Sequence, residues 1–451
     1  VTERSRRAFL AAAGSAALAA TAGCSDLPVV GDDDGGVEYD TERLQSVAEP
    51  DAEPASPTYP GPVPDALAAD HYERGRELLA AVPAEPEIPN EAVAEEVAAD
   101  RADVADALAD PPGDVATLDA LDEWRRDRAR AAEVRGAYAA ATGTIDPEAL
   151  RERRAAVRED LHAFRGDWAY RARSVVEAVV VHERLELLAR DAENALVAEQ
   201  SFPDDPKRAV STVGSLVRGV EAASANVADA AALRDAYRES SMTSYRDAVA
   251  TAASRLQAVT LSTRRRVAPY VSADAEPADF DREITDTPAE RLFSRAALDA
   301  RTAVETTESA FGRDEYAQAV TRTGRALVAL VALEAVVEAI RDGEYGMPSS
   351  TEGVVEARQR AVDALEAVAA GPLADRFAWQ ARQTFDDADH ELGGYRDYEY
   401  DDGRPNRNDV RDAVANYALV AHAADAVAPV AERVRDELRA AAGEGGGSES
   451  A

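Results

Sequence analysis

Residues 174–188, SVVEAVVVHERLELL, decide the fold of this chain. At 100° per residue their valines and leucines point nearly all round the axis, which predicts a helix covered by neighbours on most sides. Residues 326–340, ALVALVALEAVVEAI, have the same character. This second run is shorter than the roughly 20 apolar residues a bilayer requires and carries Glu334 and Glu338, so it reads as a core helix. The two stretches align with Glu183 on Glu334 and Arg190-Asp191-Ala192-Glu193 on Arg341-Asp342-Gly343-Glu344. That alignment predicts an internal duplication of helical pairs, with any site most naturally placed between the halves.

Outward from these stretches the pattern stays helical. Ala, Arg, Glu, Leu and Val dominate, and no sustained period-2 run is bounded by turns. The spacing predicts helices over 64–82, 90–109, 114–142, 146–200, 205–240, 243–267, 287–311, 313–341, 351–370, 373–392 and 407–442. Asp146-Pro147-Glu148 places a cap before a first-turn proline, and Thr287-Pro288-Ala289-Glu290 has the form of a capping box. Long helices on short connections predict an all-α fold, an elongated antiparallel multi-helix bundle. Its two halves are expected over 65–270 and 287–442. Residues 24–64, with Asp32-Asp33-Asp34-Gly35-Gly36 and six prolines between Pro50 and Pro64, read as a disordered tether, and 443–451 as a disordered tail.

The charge balance is strongly acidic, 86 Asp and Glu against 50 Lys and Arg, for a net −36. Lys207 is the single lysine. With no basic patch to neutralise phosphates, nucleic acid is excluded as a partner. Ahead of the tether, Ser5-Arg6-Arg7-Ala8-Phe9-Leu10 opens an apolar run that closes on Thr21-Ala22-Gly23-Cys24, the only cysteine. The run is too short to span a bilayer and reads as an export signal over 1–23. Ser5 to Leu10 resembles the twin-arginine signal, in which Arg6 and Arg7 are the paired arginines. Thr21 to Cys24 resembles a lipobox, which implies lipidation of Cys24. Together with the acidic, lysine-poor composition, these residues resemble twin-arginine-exported lipoproteins of salt-loving archaea. That resemblance covers residues 1–24 and the bulk composition. It implies a protein on the outer face of the cytoplasmic membrane, held by a lipid anchor.

Five histidines are the places to look for chemistry. His182 and Glu186 stand one turn apart on one face of the 174–188 helix, beside Val175 and Val179. A His and a carboxylate in apolar surroundings can hold a metal ion or act as an acid–base pair. The alternative is a buried His hydrogen-bonded to its own helix neighbour. His182-Glu183-Arg184-Leu185-Glu186 looks like the zinc-protease H-E-x-x-H, but Glu186 stands where the second His is required. His422, with Asp425 a turn on, lies on another apolar stretch. A site combining His182, Glu183, Glu186 and His422 requires those helices to meet.

Asp386-Asp387-Ala388-Asp389-His390-Glu391 contains one carboxylate-x-x-His spacing. A di-iron bundle needs two, so the cluster reads as a solvated acidic face. In Gly393 to Gly403, the carboxylates Asp397, Glu399 and Asp401 alternate with Tyr395, Tyr398 and Tyr400 nearby. They could converge on a cation, but the loop is not an EF-hand; its tyrosines make it the preferred recognition surface. Phosphate loops, dinucleotide fingerprints, nucleophile elbows and glycosylation sequons do not occur. The expectation is a tethered helical binding or scaffold protein that meets a solute or a cell-envelope partner, without catalysis or cofactor. The alternative is a metal-binding protein or metal-dependent enzyme around His182, Glu186 and His422.

Overall fold

The computed structural model describes residues 37, 39–48, 57, 59–113, 117–197, 201–238, 242–272, 280–393 and 406–444. Among them the fold is all-α, a multi-helix bundle. Its thirteen α-helices are α1 (Thr41–Val47), α2 (Ala66–Ala80), α3 (Glu91–Ala107), α4 (Leu118–Thr142), α5 (Pro147–Gly166), α6 (Val175–Leu196), α7 (Val210–Tyr237), α8 (Arg246–Arg266), α9 (Pro288–Phe311), α10 (Tyr316–Arg341), α11 (Thr351–Glu366), α12 (Pro372–Gly393) and α13 (Arg407–Ala442). Two two-residue strands, β1 (Arg171–Ala172) and β2 (Thr243–Ser244), pair antiparallel. Cys24, Arg6, Arg7 and the 395–401 loop residues lie outside the described residues.

The chain forms two compact units. The first comprises Thr58–Ala250 and Glu315–Gln318. It is built on α4 and α7, which approach so closely that a methyl group on Gly136 would come within 2.8 Å of Val217 Cβ. One on Gly214 would come within 3.0 Å of the Glu133 carbonyl. Only residues without a Cβ permit this spacing of the two backbones. Leu78, Val97, Val104 and Leu108 from α2, α3 and the turn after it close over Ala131, Ala132 and Val134 of α4.

The single helix expected over 146–200 is two helices. α5 ends at Gly166, and α6 begins at Val175 with Ser174 Oγ accepting from Glu177 N–H. Between them Tyr170 takes a left-handed φ of 46°. β1 then pairs Arg171 with Ser244 and Ala172 with Thr243, and the Tyr170 carbonyl accepts from Tyr245 N–H at 3.1 Å. Hydrogen bonds to a segment some seventy residues away hold the break, so local helix propensity is overridden.

The second unit comprises the described residues within Val1–Pro57, Thr251–Asp314 and Ala319–Ala451. α13 packs against α12, α11 and α9. It is the one described helix long and apolar enough to cross a membrane, yet 61% of its apolar window is buried in the fold, which makes it a core helix. Asn406 and Asp409 close a reciprocal capping box at its start. The box expected at Thr287 forms only in part. Glu290 accepts from Asp286 N–H, while Thr287 Oγ1 donates to the Ile284 carbonyl and caps nothing.

Part of the stretch read as a tether is ordered: α1 packs on α11 and α12 with Leu44 fully buried. Asp40 caps it, and Tyr39 Oη donates to the Pro348 carbonyl at 2.9 Å. The buried Leu44 and Ala48 and two anchoring hydrogen bonds, from Tyr39 Oη to the Pro348 carbonyl and from Asp40 N–H to Thr351 Oγ1, outweigh the acidic, proline-rich composition on either side.

The run 326–340 lies inside α10, whereas 174–188 opens α6. The aligned residues thus occupy different places along their helices.

Candidate functional site

His182, Glu186 and their surroundings form the most concentrated buried polar group on α6. His182 is 3% exposed and Glu186 1%. The break between α5 and α6 delivers two aromatic residues to them, Trp168 and Tyr170. Trp168 Nε1–H donates to His182 Nδ1 at 2.6 Å. An indole nitrogen can only donate, so Nδ1 is the acceptor and Nε2–H faces the Arg171 carbonyl at 3.3 Å. Tyr170 stacks on the imidazole with ring centroids 4.7 Å apart. Burial, with Arg234 adding to it and the Arg171 carbonyl opposing, takes His182 down to about 4. The ring is therefore neutral at physiological pH.

Glu186 faces the N-terminus of α10. Its Oε1 accepts from Ala317 N–H at 3.0 Å and its Oε2 from Gln318 N–H at 2.6 Å. Tyr170 Oη donates to Oε1 and accepts from Tyr316 N–H at 3.3 Å. Residues 316–318 are the first turn of α10, whose N–H groups have no intrahelical acceptor. Glu186 is thus a cap supplied by another helix, at the end of the helix dipole that favours negative charge. Burial nevertheless pushes its carboxyl up to about 8, against the three donors that favour the charged form. Glu183 presents its backbone carbonyl to Gln318 Nε2 at 2.9 Å. A cavity of about 20 Å³ between Trp168, His182, Arg234 and Tyr237 has room for about one water.

The four residues considered for a metal are not assembled as one group within either unit. His182, Glu183 and Glu186 belong to the first unit and His422 to the second. His422 Nε2 is 2.8 Å from Tyr345 Oη, and burial first, then the charge of Arg360, lowers it to about 4. Among the described residues no group of three or more His, Cys, Asp or Glu is arranged to hold a metal ion.

Two buried ion-pair networks escaped sequence reasoning. In the first unit, Glu221 on α7 is 3% exposed and accepts from Arg74 of α2, Arg128 of α4 and Arg153 of α5 at 3.2, 2.8 and 2.7 Å. Burial opposes its charge, but Arg128 and Arg153 hold the carboxyl below its usual range. Two turns on, Asp229 accepts from Arg125 Nη1 at 2.9 Å and from His71 Nε2 at 3.1 Å. Arg128 Nη1 donates to the other His71 nitrogen at 3.2 Å. Arg125 also meets Asp122, which Arg184 of α6 shares. These side chains lock five helices at fixed register.

In the second unit Asp389, read as part of a solvated acidic face, is 2% exposed. Arg358 holds it through Nε and Nη2 at 2.8 and 2.6 Å, and Tyr417 Oη donates at 2.6 Å. The signal available in the sequence was helical phase: Asp389 lies on the face of α12 that also presents Ala381, Ala388 and Leu392 to the core.

An all-α bundle whose helices are pinned by buried arginine–carboxylate pairs is the class of protein that fold and site define. Residues 66–244 match the family described as Domain of unknown function (DUF8262), and residues 246–436 the one described as Domain of unknown function (DUF8264). No curated protein and no solved structure matches the chain.

Proposed function

We propose that this is a membrane-tethered, extracytoplasmic helical binding or scaffold protein without catalysis. The observation that carries the non-catalytic reading is the engagement of the side chains best suited to chemistry. Glu186, His71, Asp229 and Asp389 direct polar atoms to partners that fix one helix against another, and His182 holds the segment between α5 and α6 on α6. Such groups act as positioning elements within each unit. The address is supported by the signal-like residues Arg6 and Arg7 and the lipobox-like Cys24. A strongly acidic, lysine-poor composition fits a protein working outside the membrane in concentrated salt, where the Debye length is about 3 Å and charge neither repels nor steers over distance.

The test is fractionation of native membranes with intact-mass measurement of the purified protein. Wild type is expected in the membrane fraction with the mass of a lipid on Cys24, and Cys24→Ser in the soluble fraction without it. An unmodified Cys24, or a Cys24→Ser protein that stays on the membrane, removes the anchor from the proposal. Protection of the protein from protease added to intact cells would remove its extracytoplasmic address.

A further inference from the structure

The first unit contains a second, larger cavity that none of the interactions above uses. It measures about 190 Å³ and lies between the start of α5, the end of α6 and the middle of α7. Leu150, Phe202, Leu216 and Val220 form apolar walls, and Arg151 and Arg154 reach it from α5. An apolar cavity of about 150 Å³ accommodates a benzene ring, so this space suits six to eight carbons.

The arginines at its edge differ in their partners. Arg151 pairs with Glu148 at 2.6 Å. Arg154 and Arg158 instead both donate to the carbonyl of Leu196 at the end of α6. Neither has a carboxylate partner among the described residues. Burial, and then the charge of Arg158, lowers Arg154 from its usual range. Two like charges on one carbonyl beside an apolar hollow form a place where an added anion is favoured twice, by charge and by its unused donors. Val197, the next residue, leaves 60% of its surface exposed at the same helix end.

We infer that this cavity is a binding site for a small amphiphilic carboxylate, its apolar part of six to eight carbons seated against Leu216 and Val220 and its carboxylate on Arg154. The inference rests on the binding-protein reading above and names the ligand class for it. It is independent of the lipid anchor. Arg154 gives the site its sign, and the walls set the ligand's size.

Calorimetric titration of the full chain with phenylacetate and with its neutral isostere phenylacetamide tests the inference. Phenylacetate is expected to bind about tenfold tighter or better, the range that a hydrogen bond to a charged group supplies. Arg154→Gln should reduce that preference to within about twofold while retaining the amide's affinity. Ala195→Leu fills the hollow from its α6 wall and should weaken both compounds about tenfold; Ser201→Trp, at the exposed mouth, does the same if the first variant fails to fold. Absence of binding, equal affinity for acid and amide, or affinity untouched by the filling variant overturns the inference. A negative titration of lipidated protein leaves the tethered reading standing with this cavity excluded. A positive titration of native protein whose Cys24 proves unmodified keeps the cavity although the anchor is lost.

Discussion

Glu186 shows how a residue that looks catalytic in one dimension becomes a helix cap in three. Its two oxygens take the N–H groups of Ala317 and Gln318, 131 and 132 residues further along the chain. Replacing it with Met keeps much of the volume and removes every acceptor. The expected loss is about 3 kcal/mol, since buried N–H groups are left unpaired. Urea melts of Glu186→Met against wild type measure it, and a loss under about 1 kcal/mol would contradict the capping role. His182 makes a prediction in pH. Its folded value of about 4 lies below the ordinary 6.5, so between those pH values the unfolded chain binds the extra proton. Stability contributed by His182 is therefore full above 6.5 and declines as pH falls towards 4, by up to roughly 1.4 kcal/mol per pH unit. Glu186 runs the other way. Raised to about 8 from 4.5, it favours folding below 4.5 and loses that contribution as pH climbs to 8. His182→Gln should flatten the acid limb of stability against pH and leave the limb above 6.5 unchanged in slope. An acid limb as steep as that of wild type would show that the imidazole is not buried as described.

At the scale of elements, the crossing of α4 over α7 is set by two glycines. Gly136→Ala raises helix propensity by about 1 kcal/mol, yet the new methyl meets Val217 at 2.8 Å. Overpacking of this kind costs typically 1–3 kcal/mol, so a net loss of stability is expected in thermal melts. The double variant Gly136→Ala, Val217→Ala should recover part of it, and additive losses would sink this account of the crossing. The same scale decides what could be read in advance. The 174–188 and 326–340 runs announced core helices because apolar residues on all sides of a helix have no other stable place, and both are buried as expected. The break at 167–174 was passed over although Gly166 and the Ser174-Val175-Val176-Glu177 cap mark its two ends. What the sequence does not show is what holds it open, pairing with Thr243 and Ser244 together with a left-handed Tyr170. His182 and Glu186 stood out by spacing, but their partners come from that break and from the start of α10, which no helical wheel of α6 contains. Glu221 and Asp229 went unnoticed because carboxylates are common in this chain, and only burial distinguishes two of them.

At the scale of the molecule, a net charge of −36 predicts a salt response. Raising salt from 0.1 to 1 M shortens the screening length from about 10 to about 3 Å, which relieves repulsion among surface carboxylates while barely touching Glu221, Asp229 and Asp389 inside. The melting temperature is expected to rise, and a flat or falling trend would place the stabilising electrostatics on the surface instead. The composition of the first unit carries a sharper prediction. That unit is made of Thr58–Ala250 plus the four residues Glu315–Gln318, so a fragment ending at Ala250 lacks the N–H groups that Glu186 accepts. The fragment 58–250 should therefore unfold at lower urea than the same unit in the full chain. In the fragment Glu186 faces water, so Glu186→Met should be nearly neutral there, within about 0.5 kcal/mol, while costing about 3 kcal/mol in the full chain. The difference between those two costs is the coupling between Glu186 and the first turn of α10. Equal costs in both contexts would mean that Glu186 serves the helices around it within 58–250 and that the four-residue segment is a passenger. Unequal costs would make those residues a structural part of the first unit, although some sixty residues of sequence separate them from Ala250.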